Sequence, residues 1–565
     1  VGFSGVQQKE TLKLLEKASQ LTASQKQPPR TQTALRRRAE LDIPNLVKAL
    51  HSRAHYNAKI NLDIDFSTQP ISIIYHVDPG PVYPLGGYKV LPESLDILPH
   101  QLGISLNKPA YPKDILDAEE DIIAVMTRKG YPLAQIKDRE VVADQESKQI
   151  FITVQVDSGP LTYFGETTID GNCMVRDAFI RKKITWCKGN VYDPRKIDCT
   201  IDALDATGVF SSINIDHAEK PNEDHSLPMT IQVSEGKQRS IGFGLIYSTQ
   251  RQKGEGLNAR GGGITAEWEH RNFRGMGEKL SFKTDILEYF QEATLMYVKP
   301  DFMRNCQDLL WIVDLEHDKT EGFDKKSASF SGIIERQINN RTGISYGGTY
   351  MFLRDDDTDN EGSFNLIKTP MQLKWADTDD PLDPTFGQSL FVRTVPTLEV
   401  MDSPFAYCIT TLTHSMYAPL SQSKQFVLAA KVNLGTILGA SKRKIPRSER
   451  FFAGSENTLR GYKYDTVSPL DGKNKPTGGR SLLIGTLEAR WRATEKWGGV
   501  LFYDIGNVYS DPIPQFDKKM LQAVGVGVRY YTPVGPLRLD LAIPLNRRKK
   551  VDNAFQVYFS VGQAF

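Results

Sequence analysis

Arg460, in the stretch FFAGSENTLRGYKYD (451 to 465), is the residue whose chemistry most needs explaining. It precedes Gly461 and Tyr462 and lies in a segment, 439 to 479, that separates two strand-like runs. A connection longer than about 15 residues without regular structure of its own is usually functional or disordered. Phe451, Phe452, Leu459, Tyr462 and Tyr464 make this one too apolar for a solvated tail, so it is expected to pack against an inner surface. Downstream, SLLIGTLEARW (481 to 491) puts Leu483, Leu487, Ala489 and Trp491 on one face and Glu488 with Arg490 on the other. In VLFYDIGNVY (500 to 509), Leu501, Tyr503 and Ile505 turn Asp504 to the opposite face. A guanidinium forks onto carboxylates through charge-assisted bonds that lysine cannot reproduce, and glycine lets the backbone turn sharply beside it. The expectation is a lock in which Arg460 docks on Asp504 and Glu488, with Gly461 and Tyr462 seating the loop. The competing expectation is a solvated loop charge.

No other constellation offers catalysis. The histidines form no HExxH, and His51 with His55, four apart, lack a third ligand. GLNARGGGITAE (256 to 267) lacks the lysine of a phosphate loop and reads as a turn entering a strand. Asp355, Asp356, Asp357, Asp359 and Glu361 offer calcium ligands, against the simpler reading of a solvated outside loop. No nucleophile, base and orienter can be named together, so the expectation is no enzyme, no cofactor and no metal. Lys plus Arg is 70 against Asp plus Glu at 68, which leaves no basic footprint for nucleic acid. The five cysteines, Cys173, Cys187, Cys199, Cys306 and Cys408, leave one thiol unpaired within a monomer. Cys187 and Cys199 are either a bridge in an oxidising compartment or buried free thiols.

The elements that must position Arg460 come in two textures. A chain of 565 residues exceeds one hydrophobic core. Three similar segments, IIYHVDPGPVYPLGGYKV (73 to 90), ITVQVDSGPLTYFGETTIDG (152 to 171) and MTIQVSEGKQRSIGFGL (229 to 245), recur at a spacing of about 80 residues, close to a small domain. Helical spacing at Leu12 to Leu21, Leu41 to Leu50, Ile115 to Met126, Val175 to Ile184 and Ile197 to Leu204 gives each repeat the order strand, helix, helix, strand, strand. Such α+β units keep an exposed sheet edge open to an incoming extended segment. The units are placed at 1–78, 79–159 and 160–237.

After residue 237 two-residue alternation takes over. It is clear in PLRLDLAIP (536 to 544), where Leu537, Leu539, Leu541 and Ile543 oppose Arg538 and Asp540. No run approaches the roughly 18 apolar residues of a membrane helix, but a β-barrel spans a bilayer without one. Alternating segments begin near 240, 260, 277, 289, 306, 325, 340, 361, 386, 405, 424, 480, 497, 519, 536 and 555. Their even number, and the longer connections falling on the side away from the N-terminus, favour a transmembrane barrel of about 16 antiparallel strands over 238–565, with 439–479 inserted into its lumen. The chain begins at Val1 without a leader and reads as processed or truncated.

RFFAGSENTLRGYKY (450 to 464) closely resembles the inserted-loop signature of the outer-membrane insertase superfamily, whose sixth loop carries Arg-Gly-Phe/Tyr. DTDDPLDPTFG (377 to 387), FYDIG (502 to 506) and GVGVRYYTPVGPLRLDLAIPLN (525 to 546) are similar to family segments too. Leu459 departs from the family, which usually has Val or Ile before the arginine. Three repeats resemble three POTRA domains and point to the TamA branch, the outer-membrane subunits of the translocation and assembly module. The resemblance implies a Gram-negative outer-membrane protein with POTRA domains in the periplasm, in contact with outer-membrane lipid. It implies a loop arginine on carboxylates that match Glu488 and Asp504. It implies insertion or secretion of unfolded clients such as autotransporters, and a TamB-like inner-membrane-anchored partner at the first POTRA domain.

Barrel closure requires the run 240 to 249 to pair with 554 to 565, and glycines weaken strands. Gly242 and Gly244 on the first strand, with Gly562 and the terminal Phe565 on the last, mark an expected lateral seam. The alternatives are a two-partner secretion transporter, a general barrel assembly factor, and a passive porin, which needs neither the repeats nor the inserted loop.

Overall fold

Helical and alternating periodicities take their separate shapes in the computed structural model, which describes residues 1–25, 29, 31–68, 71–95, 97–248, 261–356, 362–401, 403–516, 519–533 and 535–561. The N-terminal part holds three small three-stranded sheets, ordered β1-β3-β2, β4-β6-β5 and β7-β9-β8. The first comprises β1 (Gly2–Ser4), α1 (Lys9–Ala18), α2 (Gln20–Ala23), α3 (Gln32–His51), β2 (Lys59–Asp65) and β3 (Ser72–Asp78). Leu15, Leu35, Leu46, Leu50 and Tyr75 fill its core. The helical run beginning at Leu12 is broken at Ser19, whose hydroxyl donates to the buried Asp42 carboxylate at 2.6 Å and accepts from the Thr22 amide at 3.0 Å, so that α2 starts anew.

The second comprises β4 (Leu85–Leu91), α4 (Pro112–Arg128), β5 (Gln135–Asp144) and β6 (Gln149–Asp157). Here the expected pair of helices is corrected to one. Two short 3-10 turns, Glu93–Leu95 and Pro99–Leu102, stand in place of the other. Pro92 and Pro99 interrupt that stretch, and Gly103 closes it at φ 65°. The third comprises β7 (Tyr163–Asp170), α5 (Asp177–Lys183), α6 (Pro194–Asp205), β8 (Phe210–His217) and β9 (Ser226–Glu235) and keeps both helices. In each sheet the middle strand pairs parallel to one neighbour and antiparallel to the other where registers are recorded. The chain divides into two compact units, Val1–Gly171 with Ile180–Ala206 and Ser212–Ser234, and Asn172–Phe179 with Thr207–Ser211 and Glu235–Phe565.

The second unit carries one 17-stranded antiparallel sheet in which every strand follows its sequence neighbour. Its strands are β10 (Arg239–Ser248), β11 (Gly261–His270), β12 (Lys279–Leu287), β13 (Phe290–Lys299), β14 (Gln307–Lys319), β15 (Asp324–Asn339), β16 (Thr342–Asp356), β17 (Gly362–Lys368) and β18 (Met371–Thr378). There follow β19 (Gly387–Glu399), β20 (Phe405–Pro419), β21 (Phe426–Gly439), β22 (Ser481–Arg492), β23 (Trp497–Tyr509), β24 (Leu521–Tyr530), β25 (Leu537–Pro544) and β26 (Gln556–Val561). β17 and β18 both lie between β16 and β19, so they are one strand interrupted at Thr369-Pro370, and among the described residues the wall has sixteen strand positions.

Alternation sorts the side chains. Leu487, Leu501, Val526, Leu539 and Phe559 project outward and are exposed, as lipid-facing residues of a barrel are, while Thr486, Glu488, Asp504, Arg529 and Asp540 are buried on the inner face. The 440–480 connection lies against that inner face. It reaches Asp355 on β16 through Ser448 and Tyr558 on β26 through Gly461, so the sheet curls around it. No β10–β26 register is present among the described residues; Gly562 and Phe565 lie outside them, as do Asp357, Asp359, Glu361 and residues 256–260 of the 256–267 run, whose remainder lies on β11.

Candidate functional site: an ion-pair lock inside the barrel

The loop is shaped before it docks. Phe451 and Gly479 exchange backbone hydrogen bonds at 2.9 Å in each direction, and Ala453 and Val467 do so at 3.0 and 2.9 Å, giving a finger whose tip carries Arg460. Gly461, at φ 89°, takes the backbone conformation that glycine tolerates best. A Cβ there would also stand 3.0 Å from the Ala523 methyl. Leu459 and Tyr462 are fully buried in a cluster with Leu482, Ile484, Val508, Leu521 and Ala523.

At the tip, Arg460 is 1 % exposed. Its Nε donates to Asp504 Oδ2 at 2.7 Å and its Nη2 to Oδ1 at 2.9 Å, a two-point fork on one carboxylate. Nη1 donates to Glu488 Oε1 at 2.7 Å and to Asp540 Oδ2 at 3.4 Å, and the Arg460 amide adds a bond to Asp504 at 3.1 Å. The guanidinium lies 3.4 Å from the centroid of the Phe502 ring. Gly525, paired with Phe502 across the sheet, makes room for that ring, since a Cβ there would come within 2.2 Å of it. Each surrounding charge is matched in turn: Arg490 Nε donates to Glu488 at 2.9 Å, and Arg529 pairs with Asp540. Gly527 leaves the space for that pair; a Cβ would stand 2.0 Å from Asp540 Oδ1. On either side of the arginine, Gly461 N–H donates to the Tyr558 hydroxyl at 2.7 Å, and the Tyr462 hydroxyl donates to Gln522 O at 2.8 Å.

Arg460, Gly461, Tyr462, Glu488 and Asp504 are thus brought together. Asp540, Arg529, Phe502 and Tyr558 join them without having been singled out as partners. The alternation of PLRLDLAIP already put Asp540 on the inner face; what one strand's pattern cannot supply is that β25 curls to face β23. Gly242 and Gly244 lie on β10, beside Phe243, which is 84 % exposed. The loop root is held a second time, on the far wall. Lys368 donates to both oxygens of Glu449 at 2.9 Å, Ser448 N–H donates to Asp355 at 2.9 Å, and Arg447 donates to Gly322 O at 3.2 Å. Between these attachments a chamber of about 410 Å³ remains, lined by Lys325, Lys368, Arg393, Phe451 and Phe452 among others.

Other expectations fare differently. The five cysteines are free; Cys187 and Cys199 are exposed, so the bridge and the buried-thiol readings are both corrected. His55 Nδ1 lies 3.2 Å from Gly80 O, a backbone contact. Among the described residues no group of three or more His, Cys, Asp or Glu side chains is arranged to hold a metal ion.

Residues 272–565 match the family model of the Omp85 superfamily domain, and 162–236 match a POTRA model described as a surface antigen variable number repeat. The outer membrane protein assembly factor BamA of Nitratidesulfovibrio vulgaris (strain ATCC 29579 / DSM 644 / CCUG 34227 / NCIMB 8303 / VKM B-1760 / Hildenborough) is 22% identical over 544 residues, 89% of this chain and 64% of that protein. BamA of Neisseria meningitidis serogroup B (strain ATCC BAA-335 / MC58) is 22% identical over 508 residues, 78% of this chain and 61% of that protein. The chain therefore spans less than two thirds of the length of these curated relatives. The crystal structure of BamA from Haemophilus ducreyi lacking POTRA domains 1-3 superimposes with a TM-score of 0.72 at 17% identity, covering 84% of this chain and 99% of that one. With the matching domain model spanning more than half of its residues, the chain belongs to the Omp85 superfamily, outer-membrane barrels with periplasmic POTRA domains.

Proposed function

We propose that this protein assembles client proteins into, or passes them across, the outer membrane. Clients enter through a lateral seam between β10 and β26, and the POTRA domains 1–78, 79–159 and 160–237 dock them in the periplasm. The observation that carries the reading is the buried Arg460 lock, which holds a forty-residue loop inside the barrel where a diffusion pore needs open space. The exposed outer face of β10, with Ile241, Phe243 and Leu245, supports an edge on which a client strand adds while its lipid-facing side chains enter the bilayer. Seventy lysines and arginines against sixty-eight acids leave no role for nucleic acid, and no enzymatic step, cofactor or metal is part of this account.

Within the superfamily the TamA reading rests on three α+β repeats and makes autotransporters the clients and a TamB-like protein the partner of the first repeat. A general assembly role is favoured instead by the names of the curated relatives, which are BamA proteins. Depleting the protein separates the two: selective loss of autotransporters supports the first, and general loss of outer-membrane barrels the second. Planar-bilayer recording tests the shared premise. Small, erratic currents fit a loop-filled lumen, whereas large steady conductance fits a porin and defeats the proposal.

A further inference from the structure

The most irregular strand of the wall lies half a turn from the seam. Prolines in sheets normally occupy strand ends, edges or bulges because they have no N–H to give the ladder. Pro419 and Pro544 obey this, standing as the last residues of β20 and β25. Pro370 and Pro396 do not. Pro396 is inside β19, and Pro370 interrupts the β17/β18 strand. No bulge accommodates them, because the register to β16 continues unshifted from Thr349↔Lys368 to Tyr346↔Met371, and that to β19 from Lys368↔Thr397 to Met371↔Thr394.

The two rings remove bonds from adjacent interfaces at one height. Pro370 O accepts from Gly347 N–H at 3.1 Å, so its polar edge faces β16 and returns no bond there. Pro396 O accepts from Thr369 N–H at 2.9 Å and likewise returns none. Opposite them stand glycines: Gly347 and Gly348 on β16, and Gly332 on β15 in register with Gly348. Nothing lies within 4 Å of the position a Gly348 Cβ would take, so no side chain packs over the β16 half of that rung, while the Trp311 ring covers Gly332 on the β15 half. With β17 and β18 counted as one strand, it is the eighth of sixteen, and the seam lies between the first and the last.

We propose that the Pro370/Pro396 row is the hinge of the barrel wall, the line of weakest strand pairing that flexes when the seam opposite parts. This rests on the lateral-seam reading above. A ring that opens at one point must bend elsewhere, and bending concentrates where fewest bonds resist it.

The test uses the full chain in lipid bilayers, with the native cysteines replaced by serine and nitroxide labels at cysteines substituted for the outward-facing Phe243 and Phe559. Pulsed electron paramagnetic resonance then reads the distance across the seam. Pro370→Val with Pro396→Val restores two donors, and each is expected to reduce the long-distance population about fivefold; Pro419→Val at a strand end leaves it unchanged. A disulfide between cysteines replacing Gly348 and Thr369, which face each other, is expected to reduce that population likewise. The proposal is overturned if the wild-type barrel shows no long-distance population, or if the disulfide-locked protein keeps the wild-type distribution. A fall in that population with client assembly unaffected supports the hinge and refutes the insertion reading, so the two fail separately.

Discussion

Replacing Arg460 by alanine strips Asp504 and Glu488 of the cation they share while leaving both carboxylates at 0 % side-chain exposure. Breaking a buried pair by removing one partner costs about 3–5 kcal/mol, because the remaining charge is uncompensated. At about 1.4 kcal/mol per tenfold, loop docking weakens by roughly a hundredfold to a few thousandfold. Arg490 and Arg529 still neutralise part of the acidic cluster, which places the effect toward the lower end. Arg460→Lys keeps the charge but loses the two-point fork on Asp504, so it recovers only part of the loss. The assay is trypsin cleavage within 440–480 on intact cells, where Lys463, three residues beyond Arg460 and paired with Glu321 in the docked loop, offers the site. Wild-type protein resists, Arg460→Ala is cut, and Arg460→Ala with Asp504→Ala costs less than the sum of the single changes, because the two share one interaction. Equal protection of the loop in wild type and Arg460→Ala, or strict additivity in the double variant, refutes the reasoning.

Gly527→Ala forces a methyl to 2.0 Å from Asp540 Oδ1 and is expected to cost about 1–3 kcal/mol of barrel stability, read as a lower urea midpoint; an unchanged midpoint contradicts the packing described. At the turn after β18, partial burial pushes the Asp379 carboxyl up, but hydrogen bonds from Thr385, Lys424 and the Phe386 amide outweigh it and hold the group below the usual carboxylate range. A depressed folded pKa gives stability that is present above the unfolded value, about 3.9, and is lost as pH falls through the folded value. Asp379→Asn should therefore lower the urea midpoint by a constant amount from pH 8 to about pH 5 and converge on wild type below the folded pKa; a penalty that grows toward acid pH runs against this. Cys173, Cys187 and Cys199 are exposed and free, so maleimide should label all three in the folded protein without reductant, and protection of Cys187 and Cys199 until reduction speaks for a bridge.

The strand starts were legible to within about two residues because lipid outside and water inside impose a strict period of two. Leu487, Leu501 and Leu539 mark the outer face, and the inward direction of Glu488 and Asp504 follows from them. The single helix of the second repeat was not legible, since the prolines and glycine between β4 and α4 act through local backbone limits that apolar spacing ignores. Nor was the second attachment of the loop. Lys368 and Glu449 stand 81 residues apart, and only the curl of the sheet brings them within 2.9 Å. The interruption at Pro370 escaped notice for the opposite reason: the unshifted register on both sides makes two short strands read as one long one.

Client assembly with the seam held shut tests the central claim most directly. A cysteine replacing Gly242 is cross-linked to one on the last strand, and insertion of an outer-membrane client is followed before and after reduction. The account predicts that insertion stops in the oxidised protein and returns with reductant; equal rates in the two states contradict it.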